Sequence, residues 1–221
     1  MTGAVLIGGQ SKRFGTDKVL SRLNGLMLVE HVVHVLQTVF DEVILVGHAR
    51  PGLEGYTVVQ DIRPGLGPLG GIYTALTAAR SDRCFVCAAD MPNLDAAFIS
   101  HIAALSEGYE IVMPVWSQGR EPLHAVYRKT LLQAIERLLE AGQRSIYALA
   151  QQANTLFVTE ETIRLYGDPS TMFANINTPH DMKTFTAGSV QEAIQGRPEH
   201  GAQPAARSTT SNPATAVRKG T

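Results

Sequence analysis

The segment GAVLIGGQSKRFGTDK, residues 3–18, is the part of the chain from which the fold is read. Its first five residues are a short apolar run that Gly8 and Gly9 bring to a stop. A run of that length, bounded by glycines, reads as a buried strand. The loop that follows places Lys12, Arg13 and Lys18 within seven residues. Glycines allow backbone amides to approach a ligand closely, and clustered cations supply charge for phosphate oxygens. The loop is not of the Walker A type, because no Gly-Lys-Ser/Thr closes it. A solvated basic turn is the plainer alternative, but the position directly after a buried strand favours a phosphate-binding loop.

Outward from this segment, apolar runs alternate with helical patterns. Strands are expected at 3–7, Glu42–Val46, 57–59, 84–88, 110–114 and 123–127, and helices at 26–39, 68–79, 95–106 and 130–140. The last of these, TLLQAIERLLE, is strongly amphipathic. Such alternation implies an α/β fold with a mainly parallel sheet covered on both faces. In sheets of this kind ligands bind beyond the carboxyl ends of the strands. From about residue 187 onward the chain is rich in Gly, Ala, Pro, Ser and Thr and has almost no large apolar residues. The expected organisation is therefore one domain, residues 1–186, followed by a low-complexity, disordered tail, residues 187–221.

Bulk properties narrow the function. A chain of 221 residues suffices for one domain with its own core. With 44% hydrophobic and 18% charged residues and a net charge of −1, it carries no global field for nucleic acid or an acidic membrane. The first residues lack a basic segment before their apolar run, and no stretch reaches the length of a membrane span. A cytoplasmic protein without nucleic-acid or membrane partners is expected. Cys84 and Cys87 form a CxxC, but no second pair or nearby histidines complete a metal site. Three apart on a strand, they point to opposite faces and read as core thiols.

Four further segments carry chemistry. DIRPGLGPLGGI, residues 61–72, contains a formal GxGxxG from Gly65 to Gly70. It follows the third strand instead of the first and is interrupted by Pro68, so it reads as a tight loop that carries Asp61 to a nucleotide and starts a helix. In AADMP, residues 88–92, Asp90 stands at the end of a strand before a proline, a position suited to a divalent cation that also binds phosphates. A helix cap or turn is the structural alternative for Asp90. REPLHAVY, residues 120–127, leads from a loop into a strand. In NINTPHD, residues 175–181, Asn175 and Asn177 alternate with an apolar residue and point the same way, while Thr178 and Pro179 start a helix. Two aligned amides indicate a polar pocket.

In order, LIGGQSKRFGTDK, DIRPGLGPLGGI, AADMP, REPLHAVY and NINTPHD resemble the motifs of the molybdenum cofactor guanylyltransferases across residues 3–185. The resemblance implies a Rossmann-like, glycosyltransferase-A-type nucleotidyltransferase fold. It also implies transfer of GMP from GTP to molybdopterin, as the molybdenum cofactor, with release of pyrophosphate and with Mg²⁺ as cofactor. By this likeness the backbone of Leu6, Ile7, Gly8 and Gly9 holds the guanine end, and Arg13 and Lys18 hold the phosphates. Asp61 helps bind the nucleotide, Asp90 ligates Mg²⁺, and Asn175 and Asn177 face the pterin phosphate or the reacting centre. Other cofactor-biosynthesis proteins are implied as partners. The family usually has Ala at the place of Ile7 and Met at that of Phe14, and His48 stands where an Asn near the nucleotide is frequent. Related cytidylyltransferases read AAG where this chain has Ile7-Gly8-Gly9, and one of these, or a sugar-phosphate nucleotidyltransferase, is the nearest alternative. A GTP-binding adaptor without chemistry is the other, although it has no need of Asp90 beside the basic loop. No Ser-His-Asp or Cys-His arrangement is visible. That suits a transfer in which positioning and electrostatics carry the rate.

Overall fold

The structure, a computed structural model, describes residues 1–8, 17–178, 180–183 and 185. Gly9, Arg13 and the tail lie outside the described residues. The chain begins with β1 (Thr2–Leu6), a short hairpin of β2 (Arg22–Leu23) and β3 (Leu26–Met27), α1 (Leu28–Val39), β4 (Glu42–Val46), β5 (Val58–Val59) and α2 (Gly67–Ala78). It continues with β6 (Arg83–Ala88), α3 (Ala96–Leu105), β7 (Ile111–Trp116), β8 (Gly119–Arg120), β9 (His124–Arg128) and α4 (Leu132–Glu140). Then follow α5 (Ile146–Gln152), β10 (Thr155–Val158), α6 (Glu160–Ile163) and α7 (Pro169–Met172), and residues 180–183 are again helical.

The main sheet runs β10-β7-β9-β6-β1-β4-β5, with β8 paired to the end of β7. β1 is parallel to both β4 and β6, and β4–β5 and β7–β10 are parallel too. β9 runs against both its neighbours, β6 and β7. The mainly parallel sheet expected from the alternation is thus present, with one reversed strand inside it.

Strict alternation along the strands divides the core. Val5, Leu45, Phe85 and Cys87 pack on the α1 and α3 side with Val32, Leu36, Phe98 and Ile102. Ala4, Ile44, Val46, Cys84 and Val86 pack on the α2, α4 and α5 side with Ile72, Leu76, Ile135 and Leu149. The result is a three-layer α/β/α arrangement. Each fully buried large side chain stabilises it by about 1.5–3 kcal/mol. Cys84 and Cys87 are free thiols on opposite faces, and burial pushes the Cys84 thiol up to about 12. They are core residues, as their strand spacing implied.

Among the differences from the reading of the sequence, two have a clear physical cause. Residues 26 and 27 belong to β3 and not to the first helix, because Asn24 (φ 50°) and Gly25 (φ 88°) form the tight turn of a hairpin. The backbone N–H of Met27 then donates to Glu30 at 2.6 Å, which marks the start of α1 at Leu28. The second difference lies after Glu140, where α5, β10, α6 and α7 were not anticipated. These are short, of four to seven residues, and their apolar periodicity is too brief to stand out. Among the described residues no helix is long and apolar enough to cross a membrane.

Candidate active site

Four parallel strands deliver their carboxyl ends to one cleft of about 970 Å³. Ile7 and Gly8 follow β1, His48 and Arg50 follow β4, Asp61 follows β5, and Ala89 and Asp90 follow β6. Leu123 enters from the start of reversed β9, and Asn175 and Asn177 from the segment after α7. Of the residues singled out from the sequence, Leu6, Ile7, Gly8, Lys18, His48, Asp61, Asp90, Asn175 and Asn177 all line this cleft. Gly9 and Arg13 are outside the described residues.

At one end the wall is backbone. Gly47 (φ +148°) sits so close to the Ile7–Gly8 peptide that a Cβ there would meet Gly8 N and Ile7 Cγ1 at 2.9 Å. Part of this wall is held by its own hydrogen bonds: Leu6 C=O accepts from Ala89 N at 3.2 Å, and Ile7 N–H donates to Val46 O at 2.9 Å. Ile7 C=O accepts from Arg50 Nη2 at 2.8 Å. Opposite Gly8 stands Asp61, whose Oδ2 would lie 3.4 Å from a Cβ at that glycine. Asp61 Oδ1 is buried and has no hydrogen-bond partner among the described residues. A buried carboxylate oxygen left without a donor is costly, so a ligand N–H or O–H at this point would be held firmly.

The glycine loop between β5 and α2 explains its GxGxxG pattern without a dinucleotide. Gly65 (φ +79°) and Gly67 (φ +70°) adopt left-handed backbone that favours glycine. Gly70 and Gly71 let α2 press onto its surroundings: a Cβ at Gly71 would meet the Leu6 side chain at 3.0 Å, and one at Gly70 the Arg63 carbonyl at 3.2 Å. The loop is anchored by Ile62 N–H donating to Thr74 Oγ1 at 3.1 Å. Gly67 and Pro68 turn the first turn of α2 toward the cleft, where its free N–H groups favour an anion. This is the tight, helix-starting loop carrying Asp61 that the sequence indicated.

The charged end is organised around Lys18. Its ammonium donates to Asp90 Oδ2 at 2.6 Å and to Asn177 Oδ1 at 2.9 Å. The ion pair is largely sheltered, with side-chain exposures of 13% and 26%. Asp17 sets Lys18 in place by capping the short 3₁₀ turn Lys18–Leu20 through Val19 N–H. The Asn175–Asn177 segment is tied to the β6 loop by Ile176 N–H donating to Asp90 O at 2.9 Å, and α7 before it by Asn93 Nδ2 donating to Thr171 O at 3.2 Å. Ile176 is fully buried against Leu23 and Leu28, which fixes the two flanking amides on the open side. Asp181 Oδ2 accepts from Asn177 N and Thr178 N, and Thr178 Oγ1 accepts from Asp181 N, the capping expected of Thr178.

His124 of the REPLHAVY segment lies behind the cleft and does not line it. It is fully buried among Phe85, Phe98 and Phe173, with ring centroids 5.1, 5.6 and 5.1 Å away. Among the described residues neither ring nitrogen has a partner, and burial lowers its pKa to about 3. The residue that sequence reading missed is Arg50, two positions beyond His48. The available signal was a second basic residue in the loop after β4.

A parallel sheet with a glycine-lined cleft at its strand ends, bearing a lysine–aspartate pair, defines the class as a Rossmann-like α/β nucleotidyltransferase. A profile for the MobA-like NTP transferase domain matches residues 3–155, and the chain belongs to that family. It is 35% identical over 205 residues to a probable molybdenum cofactor guanylyltransferase of Peptoclostridium acidaminophilum, covering 88% of this chain and 92% of the relative. A protein of the same description from Pelotomaculum thermopropionicum is 37% identical over 183 residues, covering 82% and 89%. Molybdopterin-guanine dinucleotide biosynthesis protein A from Archaeoglobus fulgidus has a crystal structure that superposes with a TM-score of 0.75. It shares 27% identity and covers 86% of this chain and all of that one.

Proposed function

We propose that the protein transfers GMP from GTP to the phosphate of molybdopterin, forming the guanine dinucleotide form of the molybdenum cofactor and releasing pyrophosphate. The observation that carries this reading is the polarity of the cleft: a close-packed backbone wall with Asp61 at one end, and Lys18, Asp90 and Asn177 joined at the other. A purine nucleoside suits the first and a triphosphate the second. The likeness, over 82–88% of this chain, to proteins described as probable molybdenum cofactor guanylyltransferases favours GTP over CTP.

An acceptor phosphate oxygen attacks the α-phosphorus, and the bond to the pyrophosphate oxygen breaks as the new P–O bond forms. The acceptor is already ionised at neutral pH, so no strong general base is needed. Negative charge builds on the phosphate oxygens, and Lys18, joined by Arg13 from outside the described residues, is assigned to neutralise it. Asn175 and Asn177 are assigned to the acceptor side, His48 and Asp61 to the nucleoside, and Leu6, Ile7, Gly8 and Gly9 to the base.

Mg²⁺ fits the donor set. Among the described residues no cluster of three or more His, Cys, Asp or Glu is built as a metal cage. Magnesium, however, is commonly held by one or two carboxylates together with substrate phosphates. Asp90 offers the carboxylate, with Asn177 Oδ1 close by through their shared lysine. When bound, the ion would supply charge neutralisation to the triphosphate. The protein is assigned to the cytoplasm, with cofactor-biosynthesis proteins as partners.

Mixing the protein with GTP, Mg²⁺ and molybdopterin tests the reading, with pyrophosphate release and the linked product as readouts. Both should appear, and CTP should be used far less well, because buried polar groups matched to one base are left unpaired by another. Equal use of CTP would move the protein to the cytidylyl relatives. GTP binding without pyrophosphate release would make it an adaptor.

A further inference from the structure

We infer that Arg50 is a positioning residue of the nucleotide cleft, fixing the base end and the phosphate end relative to one another. One guanidinium spans the residue that follows β1 and the residue that caps the 3₁₀ turn Lys18–Leu20. Arg50 Nη2 donates to the Ile7 carbonyl at 2.8 Å, and Nη1 donates to Asp17 Oδ1 at 2.9 Å. The Ile7 carbonyl belongs to the backbone wall of the cleft. Asp17 Oδ1 is the same oxygen that caps the turn bearing Lys18. A single planar fork therefore connects the wall facing the nucleoside to the lysine facing Asp90.

Stability is not a sufficient reason for this arrangement. The Asp17 side chain is 36% exposed, and partly exposed ion pairs contribute little to folding. Arg50 itself is only 14% exposed and lines the cleft. Its geometry depends on the guanidinium: two donors in a fixed plane can hold a carbonyl and a carboxylate at once, which a lysine ammonium on a flexible stem does not reproduce. The chemistry it serves is recognition of a nucleoside triphosphate, whose base and phosphates must be met at a set separation. The inference thus rests on the nucleotide reading of the cleft.

The test uses the full chain and direct binding of GTP, ATP and CTP by calorimetry, alongside steady-state kinetics. Arg50→Gln and Arg50→Lys should both weaken the best-bound triphosphate about tenfold, as expected for loss of a charged hydrogen bond. KM should rise more than kcat falls, with melting temperature nearly unchanged. Asp17→Asn should reproduce the effect, and the Arg50→Gln/Asp17→Asn double variant should be no weaker than the worse single one. A merely structural role would lower melting temperature and the active fraction, so kcat would fall at constant KM. That result, wild-type affinity in Arg50→Lys, or additive losses in the double variant would each overturn the inference. A wild type that prefers CTP or ATP would overturn the guanylyl reading alone, since the Arg50 ratio is read on whichever triphosphate binds best. Binding of no triphosphate would overturn both.

Discussion

Asp90 and Lys18 neutralise one another across 2.6 Å, so a triphosphate and a cation must each take one member of the pair. Asp90→Ala should therefore leave melting temperature close to wild type and lower product formation on the order of 10²-fold or more at saturating Mg²⁺. Activity above about a tenth of wild type would remove Asp90 from the metal-binding role. Lys18→Ala should reduce kcat/KM for GTP and CTP by the same factor, because every triphosphate presents the same phosphates to that ammonium. A roughly tenfold change in the GTP/CTP ratio would instead put Lys18 at the base. His124 makes a different kind of claim, about acid stability. Its folded pKa of about 3 lies below an unfolded value of about 6.5, so the unfolded chain takes up the proton first. The stabilisation is whole above about pH 6.5 and drains away as the pH falls toward 3, at about 1.4 kcal/mol per pH unit. Between pH 6.5 and 4.5, urea unfolding of wild type should lose about 2–3 kcal/mol more than His124→Phe. Parallel losses would mean that the imidazole is not the group being charged.

At the scale of elements, the join between β1 and β4 is the most demanding. Gly47 has both a left-handed φ and backbone of its neighbour 2.9 Å from where a Cβ would stand. Neither obstacle is a movable side-chain tip alone, so Gly47→Ala should cost about 1–3 kcal/mol of stability and weaken nucleotide binding by displacing the Ile7–Gly8 peptide. Chemical denaturation and GTP titration of the same preparation would check both. Nothing in the sequence singles out Gly47, because its role depends on two strands brought side by side. The strands themselves were legible, since β1, β4 and β6 are apolar runs in a buried parallel region. The reversed direction of β9 was not, because His124–Arg128 reads as an apolar run whichever way it pairs. The hairpin before α1 had a visible signal in Asn24-Gly25, but the apolar spacing of 26–39 masked it. The site followed the same division: Asp61, Asp90 and the paired asparagines stand out beside loops, whereas Arg50 acquires its meaning only from the two acceptors it meets.

For the molecule as a whole, the sequence set a domain of residues 1–186 against a tail, and a truncation tests it. Ending the chain after Phe185 should alter neither melting temperature nor turnover, because the composition beyond it supplies almost no apolar surface to bury. A fall of several degrees would show that the tail docks on the domain. The order of the strands has a consequence of its own for how the chain acquires its fold. β5, β4, β1 and β6 can pair once residue 88 is available, since all four come early in the sequence. The other edge of β6 must wait for β9, residues 124–128, and β7 reaches the sheet only through β9. Until then the apolar strand RCFVCA has an open edge, the kind of surface on which partly folded chains associate. The partner of Lys18 at Asn177 comes later still. A half-made chain therefore has no complete cleft, and nucleotide cannot draw its folding forward. In refolding kinetics GTP should slow unfolding while leaving the folding rate unchanged, as for any contact absent from the transition state.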